Sequence, residues 1–142
     1  MSSKARVLIV DDEERFRITL NKLLAVKGLD VHNVGSGKAA LEELGQRSYD
    51  IILLDVKMPE MNGIEALAEI KKIDPQVEVI ILTGHASVDV AVEIMRLGGY
   101  EYLLKPCPIE ELLEKVDAAF ERKMDREKRM SKAAATRTGP AS

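Results

Sequence analysis

Residues 7–12 read VLIVDD, four aliphatic residues that run directly into two aspartates. Two further apolar runs of the same length, at 51–54 and 79–82, are rich in β-branched residues and lead into small or polar residues. Short runs of this kind are typical of strands buried on both faces of a parallel sheet. We therefore predict that these three strands form the centre of a sheet.

Two other strand candidates, Asp30–Val34 and Tyr100–Leu104, alternate apolar with polar residues, which is typical of edge strands. The segments between the strands have helical spacing of apolar residues, and helix caps are expected at Gly28, Asn62 and Ser87. Strict alternation of strand and helix predicts an α/β fold: a doubly wound, five-stranded parallel sheet in the order 2-1-3-4-5, with five helices.

Composition limits the class of protein. The chain has 142 residues, 46% apolar and 32% charged, with one cysteine, Cys107, and no apolar run long enough to span a bilayer. These features predict a cytoplasmic protein that does not enter a membrane.

Charge is unevenly distributed along the chain. Residues 1–120 carry 14 positive and 21 negative side chains, whereas residues 121–142 carry 7 and 3. The acidic body argues against direct nucleic-acid binding. We predict one domain over residues 1–122, followed over 123–142 by a charged helix extension and a disordered C-terminal tail.

Reactive side chains follow four of the five strands. Asp11-Asp12 follows the first strand, Asp55 the third, Thr83 the fourth and Lys105 the fifth. Ligands of such sheets bind at the carboxyl ends of the strands, so these side chains are expected to meet. Three carboxylates together repel one another, so either some stay protonated or a cation neutralises them, and oxygen ligands favour Mg²⁺ or a similar hard cation over zinc.

A carboxylate beside a bound cation can act as a nucleophile toward phosphorus. Asp55 is the best candidate because it stands alone at the end of a central strand, whereas Asp11 and Asp12 are adjacent and can hold a metal. Thr83 supplies a hydroxyl donor and Lys105 a compact positive charge for phosphoryl oxygens. Whether the Lys105-Pro106 peptide is cis is left open by the sequence.

Several separated motifs occur in order in this chain: Asp11-Asp12, Asp55 with Met58-Pro59 and Gly63, Thr83, Tyr102, and Lys105-Pro106. Together they resemble the receiver domain of bacterial two-component response regulators, over residues 5 to about 122. The resemblance implies the flavodoxin-like fold of chemotaxis regulators. The segments around Thr83 and Lys105 look most similar to receivers of nitrogen-regulator-type transcription activators.

The resemblance implies that Asp55 accepts phosphate from a phosphohistidine, on a sensor histidine kinase or a phosphotransfer protein. It implies Mg²⁺, with Mn²⁺ as a substitute, bound by Asp12 and Asp55, by Asp11 mostly through water, and by the backbone carbonyl of Lys57. Such a domain is not an enzyme toward other substrates and catalyses only its own phosphorylation and slow dephosphorylation.

The resemblance also assigns residues to a conformational switch and to the control of how fast the acyl phosphate is hydrolysed. Thr83 and Tyr102 match the family's switch pair, which controls partner binding, and the side chains of Lys57 and His85 occupy positions that tune hydrolysis of the acyl phosphate. A downstream protein target or an output domain outside this chain would receive the signal. Surplus apolar residues at 88–97 suggest a homodimer through the fourth and fifth helices.

Two alternatives remain open at this stage. An aspartate-nucleophile phosphatase shares the acyl-phosphate chemistry, but that family has Asp-x-Asp at the first strand, whereas Asp11 and Asp12 are adjacent here. A pseudo-receiver would be an interaction scaffold that never needs phosphate, and the complete set of motif residues argues against it.

Overall fold

The computed structural model describes residues 4–137, in which five strands alternate with five helices. The strands are β1 (Arg6–Val10), β2 (Asp30–Val34), β3 (Ile51–Leu54), β4 (Glu78–Thr83) and β5 (Glu101–Leu104). The helices are α1 (Glu14–Val26), α2 (Gly37–Leu44), α3 (Gly63–Ile73), α4 (Val88–Arg96) and α5 (Ile109–Arg137).

All neighbouring strands pair in parallel, in the order β2-β1-β3-β4-β5. The predicted fold class and strand order are confirmed, including the two edge strands. β5 begins at Glu101, one residue later than predicted.

The sheet separates two hydrophobic cores. Successive strand residues point to opposite faces, so Leu8 and Val10 of β1 pack with α2, α3 and α4, while Val7 and Ile9 pack with α1 and α5. Both sets are almost completely buried. This double burial explains why the central strands are continuous apolar runs.

Local capping sets where the helices begin and end, as predicted. Asn62 accepts a hydrogen bond from the Glu65 amide, and the Glu65 side chain accepts one from the Asn62 amide, which forms a capping box at α3. Ser87 caps α4 through the amide of Val90. Gly28, with φ of 96°, follows the last turn of α1.

A group of ion pairs fixes α5 to the end of the sheet opposite the carboxyl ends of the strands. Glu78, at the start of β4, is 2% exposed and pairs with Arg126 at 2.9 Å and Arg122 at 3.2 Å. Lys123 pairs with Asp50, next to β3, at 3.0 Å. The helix therefore stays attached to the sheet well past Phe120, its last large aromatic contact with the core.

The predicted domain boundary at residue 122 falls inside α5, which runs without interruption to Arg137, and the boundary stays a prediction. The predicted disordered terminus includes residues 138–142, which lie outside the described residues. Within residues 4–137, no helix has both the length and the hydropathy that a bilayer crossing requires.

Gly63, the first residue of α3, lies against the backbone that follows β3. A Cβ atom at this position would come within 2.6 Å of both the Asp55 carbonyl oxygen and the Val56 Cα. Backbone atoms cannot move aside cheaply, so only glycine lets α3 begin this close to Asp55.

We expect Gly63→Ala to destabilise the protein by about 1–3 kcal/mol, because the added methyl forces the start of α3 away from β3. Chemical denaturation monitored by circular dichroism measures this change. The matched control is Gly84→Ala, since a Cβ there would meet no atom within 4 Å. Equal stability of the two variants would contradict the steric argument.

Candidate functional site

The backbone pairing of the sheet continues one residue beyond three strands and so fixes the candidate site. The Asp11 amide donates to the Val34 carbonyl at 3.2 Å, and the Asp55 amide donates to the Val10 carbonyl at 3.0 Å. The Lys105 amide donates to the Thr83 carbonyl at 2.8 Å. These side chains therefore leave the sheet at its carboxyl edge from positions that are held by hydrogen bonds.

Three carboxylates meet at this edge. Asp11, Asp12 and Asp55 each place one carboxylate oxygen so that all three oxygens lie within 4.8 Å of one another. Asp11 and Asp55 are buried and Asp12 is exposed, so the cluster opens to solvent on one side. Hard cations such as Mg²⁺ bind oxygen donors of this kind, and the cluster could hold a metal ion.

Lys105 is the positive charge of the site. Its Nζ donates to Asp11 at 2.7 Å and to Glu13 at 3.3 Å, and lies 3.7 Å from Asp55. The side chain is only 13% exposed. Burial opposes the charge, but the hydrogen bond to Asp11 and the attraction of the carboxylates outweigh it and raise the pKa of Lys105.

Burial, hydrogen bonds and nearby charges all act on the Asp11 carboxyl group. Burial raises its pKa, and this effect exceeds the opposing effects of the hydrogen bonds from Lys105 and from the Glu13 amide, the latter at 2.9 Å. The nearby charge of Asp55 acts in the same direction as burial. Three carboxylates face the one ammonium of Lys105, and this imbalance favours binding of a further cation.

An open cleft of about 430 Å³ lies beside the acidic cluster. It is lined by Asp12, Glu13, Asp55, Lys57, Met58, Pro59 and His85. Lys57 and His85 thus border the same cleft as Asp55, and their role in tuning hydrolysis stays a prediction. The Lys57 amide contacts Asp55 Oδ1 at 3.4 Å, while ligation by the Lys57 carbonyl stays a prediction.

Thr83 and Tyr102 are joined through one peptide segment. The buried Thr83 hydroxyl accepts a hydrogen bond from the His85 amide at 3.3 Å, and the Tyr102 hydroxyl donates to the His85 carbonyl at 2.7 Å. The Thr83 and Tyr102 hydroxyls are thus both hydrogen-bonded to the backbone of His85. The Lys105-Pro106 peptide, left open by the sequence, is cis.

The structure adds three residues that sequence reasoning did not assign to the site. Glu13 contacts Lys105, and the Phe16 ring centroid lies 4.0 Å from Lys105 Nζ. Arg17 donates to the Asp11 carbonyl at 3.3 Å and to Asn33. The helical spacing of apolar residues predicts that Phe16 is a core residue. Its contact with Lys105 becomes visible only in the three-dimensional structure.

With this geometry established, comparison with known proteins identifies the family. The sequence model of the response regulator receiver domain family matches residues 7–117, which is well over half of the chain. The chain belongs to this family. Receiver domains are modules of two-component response regulators, as the sequence motifs had implied.

Individual relatives agree with this assignment. The chain is 38% identical over 112 residues to the regulatory protein AtoC of Escherichia coli K12, covering 79% of this chain and 24% of that protein. It is 39% identical over 114 residues to the transcriptional regulatory protein ZraR of Escherichia coli O157:H7, covering 80% and 26%. The chain therefore spans about a quarter of the length of these curated relatives.

Solved structures share the fold. A receiver domain protein from Clostridium thermocellum superposes with a TM-score of 0.80 at 37% identity, covering 84% of this chain and 97% of that one. NtrX from Brucella abortus superposes with a TM-score of 0.84 at 27% identity, covering 99% of this chain and 31% of that one. The resemblance to receivers of nitrogen-regulator-type activators is thus confirmed.

We expect Lys105→Met to lower the free energy of unfolding without metal by on the order of 3 kcal/mol, because buried carboxylates lose their cationic partner. Added Mg²⁺ should raise the Tm of this variant more than that of the wild type, since the ion replaces the lost charge. Thermal melts with and without Mg²⁺ measure both effects.

Lys115→Met is the matched control for this experiment. Lys115 pairs with Glu101 at the surface, where a salt bridge contributes at most about 1 kcal/mol. Its response to Mg²⁺ should equal that of the wild type. An equal Mg²⁺ response of Lys105→Met would show that Lys105 does not neutralise the acidic cluster.

Proposed function

We propose that this receiver domain is a phosphoacceptor whose Asp55 takes a phosphoryl group from a donor in a Mg²⁺-dependent reaction. The observation that carries the proposal is the position of Asp55. Its carboxylate lies within 4.8 Å of the Asp11 and Asp12 oxygens and 3.7 Å from Lys105 Nζ, at the edge of an open cleft.

The transfer forms one bond and breaks one. A carboxylate oxygen of Asp55 attacks the donor phosphorus and forms an O–P bond. The bond between phosphorus and the imidazole nitrogen of a phosphohistidine breaks, and that nitrogen keeps the electron pair. Hydrolysis later returns the Asp55 carboxylate and releases inorganic phosphate.

The chain's own residues supply most of what this reaction needs. Lys105, held beside Asp55, offers N–H donors to phosphoryl oxygens, and Thr83 offers a hydroxyl donor. Asp11, Asp12, Asp55 and the backbone carbonyl of Lys57 would hold Mg²⁺ or Mn²⁺, and the bound ion would offset negative charge on the transferred group. Lys57 and His85 border the cleft and would tune how fast water removes the phosphate.

Signalling follows from the switch pair. A phosphoryl group on Asp55 would draw the Thr83 hydroxyl toward it, and the His85 segment would carry this movement to Tyr102. The affected surface includes α4 and β5. The apolar side chains of Val88, Val92 and Met95 are exposed there, which supports a homodimer through α4 and α5.

The donor would be a sensor histidine kinase or a phosphotransfer protein, and the receiver of the signal would be an output domain or a separate protein. The length of the relatives supports the first arrangement, with residues 1–122 as the receiver and the following segment as its connection. The acidic body supports signalling without direct nucleic-acid contact, and the single cysteine supports a cytoplasmic location. Toward external substrates the domain would not be an enzyme.

The test of the phosphoacceptor function is intact mass after incubation with Mg²⁺ and acetyl phosphate. We expect one phosphoryl adduct on the wild type, none on Asp55→Asn and none in EDTA. Asp117→Asn is the matched control, because it makes the same change of charge on α5, away from the site.

Other outcomes separate the alternatives. Steady consumption of donor with a short-lived adduct would indicate rapid hydrolysis, and turnover of an external phosphate ester would indicate a phosphatase. A wild type that neither forms an adduct nor consumes donor would indicate a pseudo-receiver and overturn the proposal.

The switch has a test of its own. We expect Thr83→Val to accept phosphate on Asp55 but to lose the change at Tyr102, because the variant keeps the shape of threonine without its hydroxyl. Fluorine NMR of fluorotyrosine-labelled protein reports the change, with the Tyr102 resonance assigned through Tyr102→Phe. A normal phosphorylation-induced shift in Thr83→Val would show that the coupling takes another route.

A further inference from the structure

The Lys105 ammonium has a neighbour that is not an oxygen. The Phe16 ring centroid lies 4.0 Å from Nζ, well inside the roughly 6 Å within which a cation is attracted to an aromatic face. Phe16 lies in the first turn of α1, whereas Lys105 lies in the loop between β5 and α5.

From this contact we infer that Phe16 is a positioning residue for Lys105 in the proposed phosphoryl transfer. The inference rests on the phosphoacceptor function proposed above and names a residue that supports it. Phe16 contacts the site in this role through Lys105. It acts through the ammonium alone.

A lysine needs such support because its four-carbon side chain is flexible and its ammonium is a point charge without a preferred direction. The carboxylates around Lys105 attract the ammonium to different places, with Asp11 at 2.7 Å, Glu13 at 3.3 Å and Asp55 at 3.7 Å. The Phe16 ring adds an attraction that does not depend on any one of these oxygens.

The ring also leaves the N–H groups of Lys105 available. A carboxylate that holds the ammonium accepts one of its three donors, whereas an aromatic face attracts the charge as a whole. Lys105 can therefore exchange a carboxylate oxygen for a phosphoryl oxygen while Phe16 still restricts where Nζ lies.

Phe16 is itself well placed to do this. It is half-buried and packs against the core formed by α1, α5 and one face of the sheet. A side chain held by core packing loses little further freedom when it contacts the lysine. The same packing means that removal of the ring also affects stability, so the test must separate the two effects.

The experiment measures the rate of adduct formation with acetyl phosphate at saturating Mg²⁺ in four proteins. We expect Phe16→Leu to be slower than the wild type by about threefold to tenfold, which corresponds to the usual strength of one cation–π contact. Phe16→Tyr keeps an aromatic face and should react at close to the wild-type rate.

Phe120→Leu is the matched control. Phe120 is the chain's other phenylalanine and packs against the same core from α5, with no contact to Lys105 among the described residues. Phe120→Leu should lower the stability of the protein as Phe16→Leu does, but it should leave the rate of adduct formation unchanged. Equal slowing of both leucine variants would mean a general effect of core packing and would overturn the inference.

A second measurement does not depend on phosphorylation. In protein with ¹³C-labelled lysine, the Cε protons of Lys105 should be shifted upfield by the ring current of Phe16, with the signal assigned through Lys105→Arg. The shift should persist in Phe16→Tyr and disappear in Phe16→Leu. An unshifted Lys105 signal in the wild type, or a wild-type rate in Phe16→Leu, would overturn the inference.

The two proposals fail in different ways. A wild type that neither forms an adduct nor consumes donor refutes the phosphoacceptor function and with it a role for Phe16 in transfer, whatever the NMR shows. A wild type that forms the adduct, with Phe16→Leu equally fast, refutes only the role of Phe16.

Discussion

Electrostatic repulsion among the carboxylates of Asp11, Asp12 and Asp55 is the constraint around which this molecule is organised. A parallel sheet in the order β2-β1-β3-β4-β5 brings the ends of β1 and β3 together, and with them the carboxylates. Positive charge beside such a cluster stabilises its ionised form. Lys105 supplies part of that charge from the far side of β4, and an opening toward solvent leaves room for a cation to supply the rest.

Much of this arrangement follows from the sequence because it depends on local patterns. Apolar runs without alternation identify the central strands, and residues that directly follow a strand must lie at the sheet's carboxyl edge. Asn62 and Ser87 each bond to an amide in the first turn of the helix that they cap, so the sequence alone predicts both roles. Fold, strand order and the convergence of Asp55 with Lys105 needed no further information.

The sequence could not predict contacts between elements that are far apart in the chain, because no fixed residue spacing relates them. Phe16 has the spacing of an ordinary core residue, and nothing local indicates that a lysine 89 positions later lies over its ring. The connection from Thr83 to Tyr102 through the His85 peptide depends on the path of a loop. The attachment of α5 by Glu78 requires that the start of β4 meet the middle of a long helix.

That attachment gives α5 the mechanics of a lever. The helix is held by Arg122, Lys123 and Arg126 at one place on the sheet, and it continues for about 15 Å beyond Glu127 at 1.5 Å per residue. A continuous helix bends little over such a length, so a small change of tilt at the sheet becomes a displacement that grows with distance from it. The ion pairs of Glu78 and Asp50 would be the fulcrum of any such tilt.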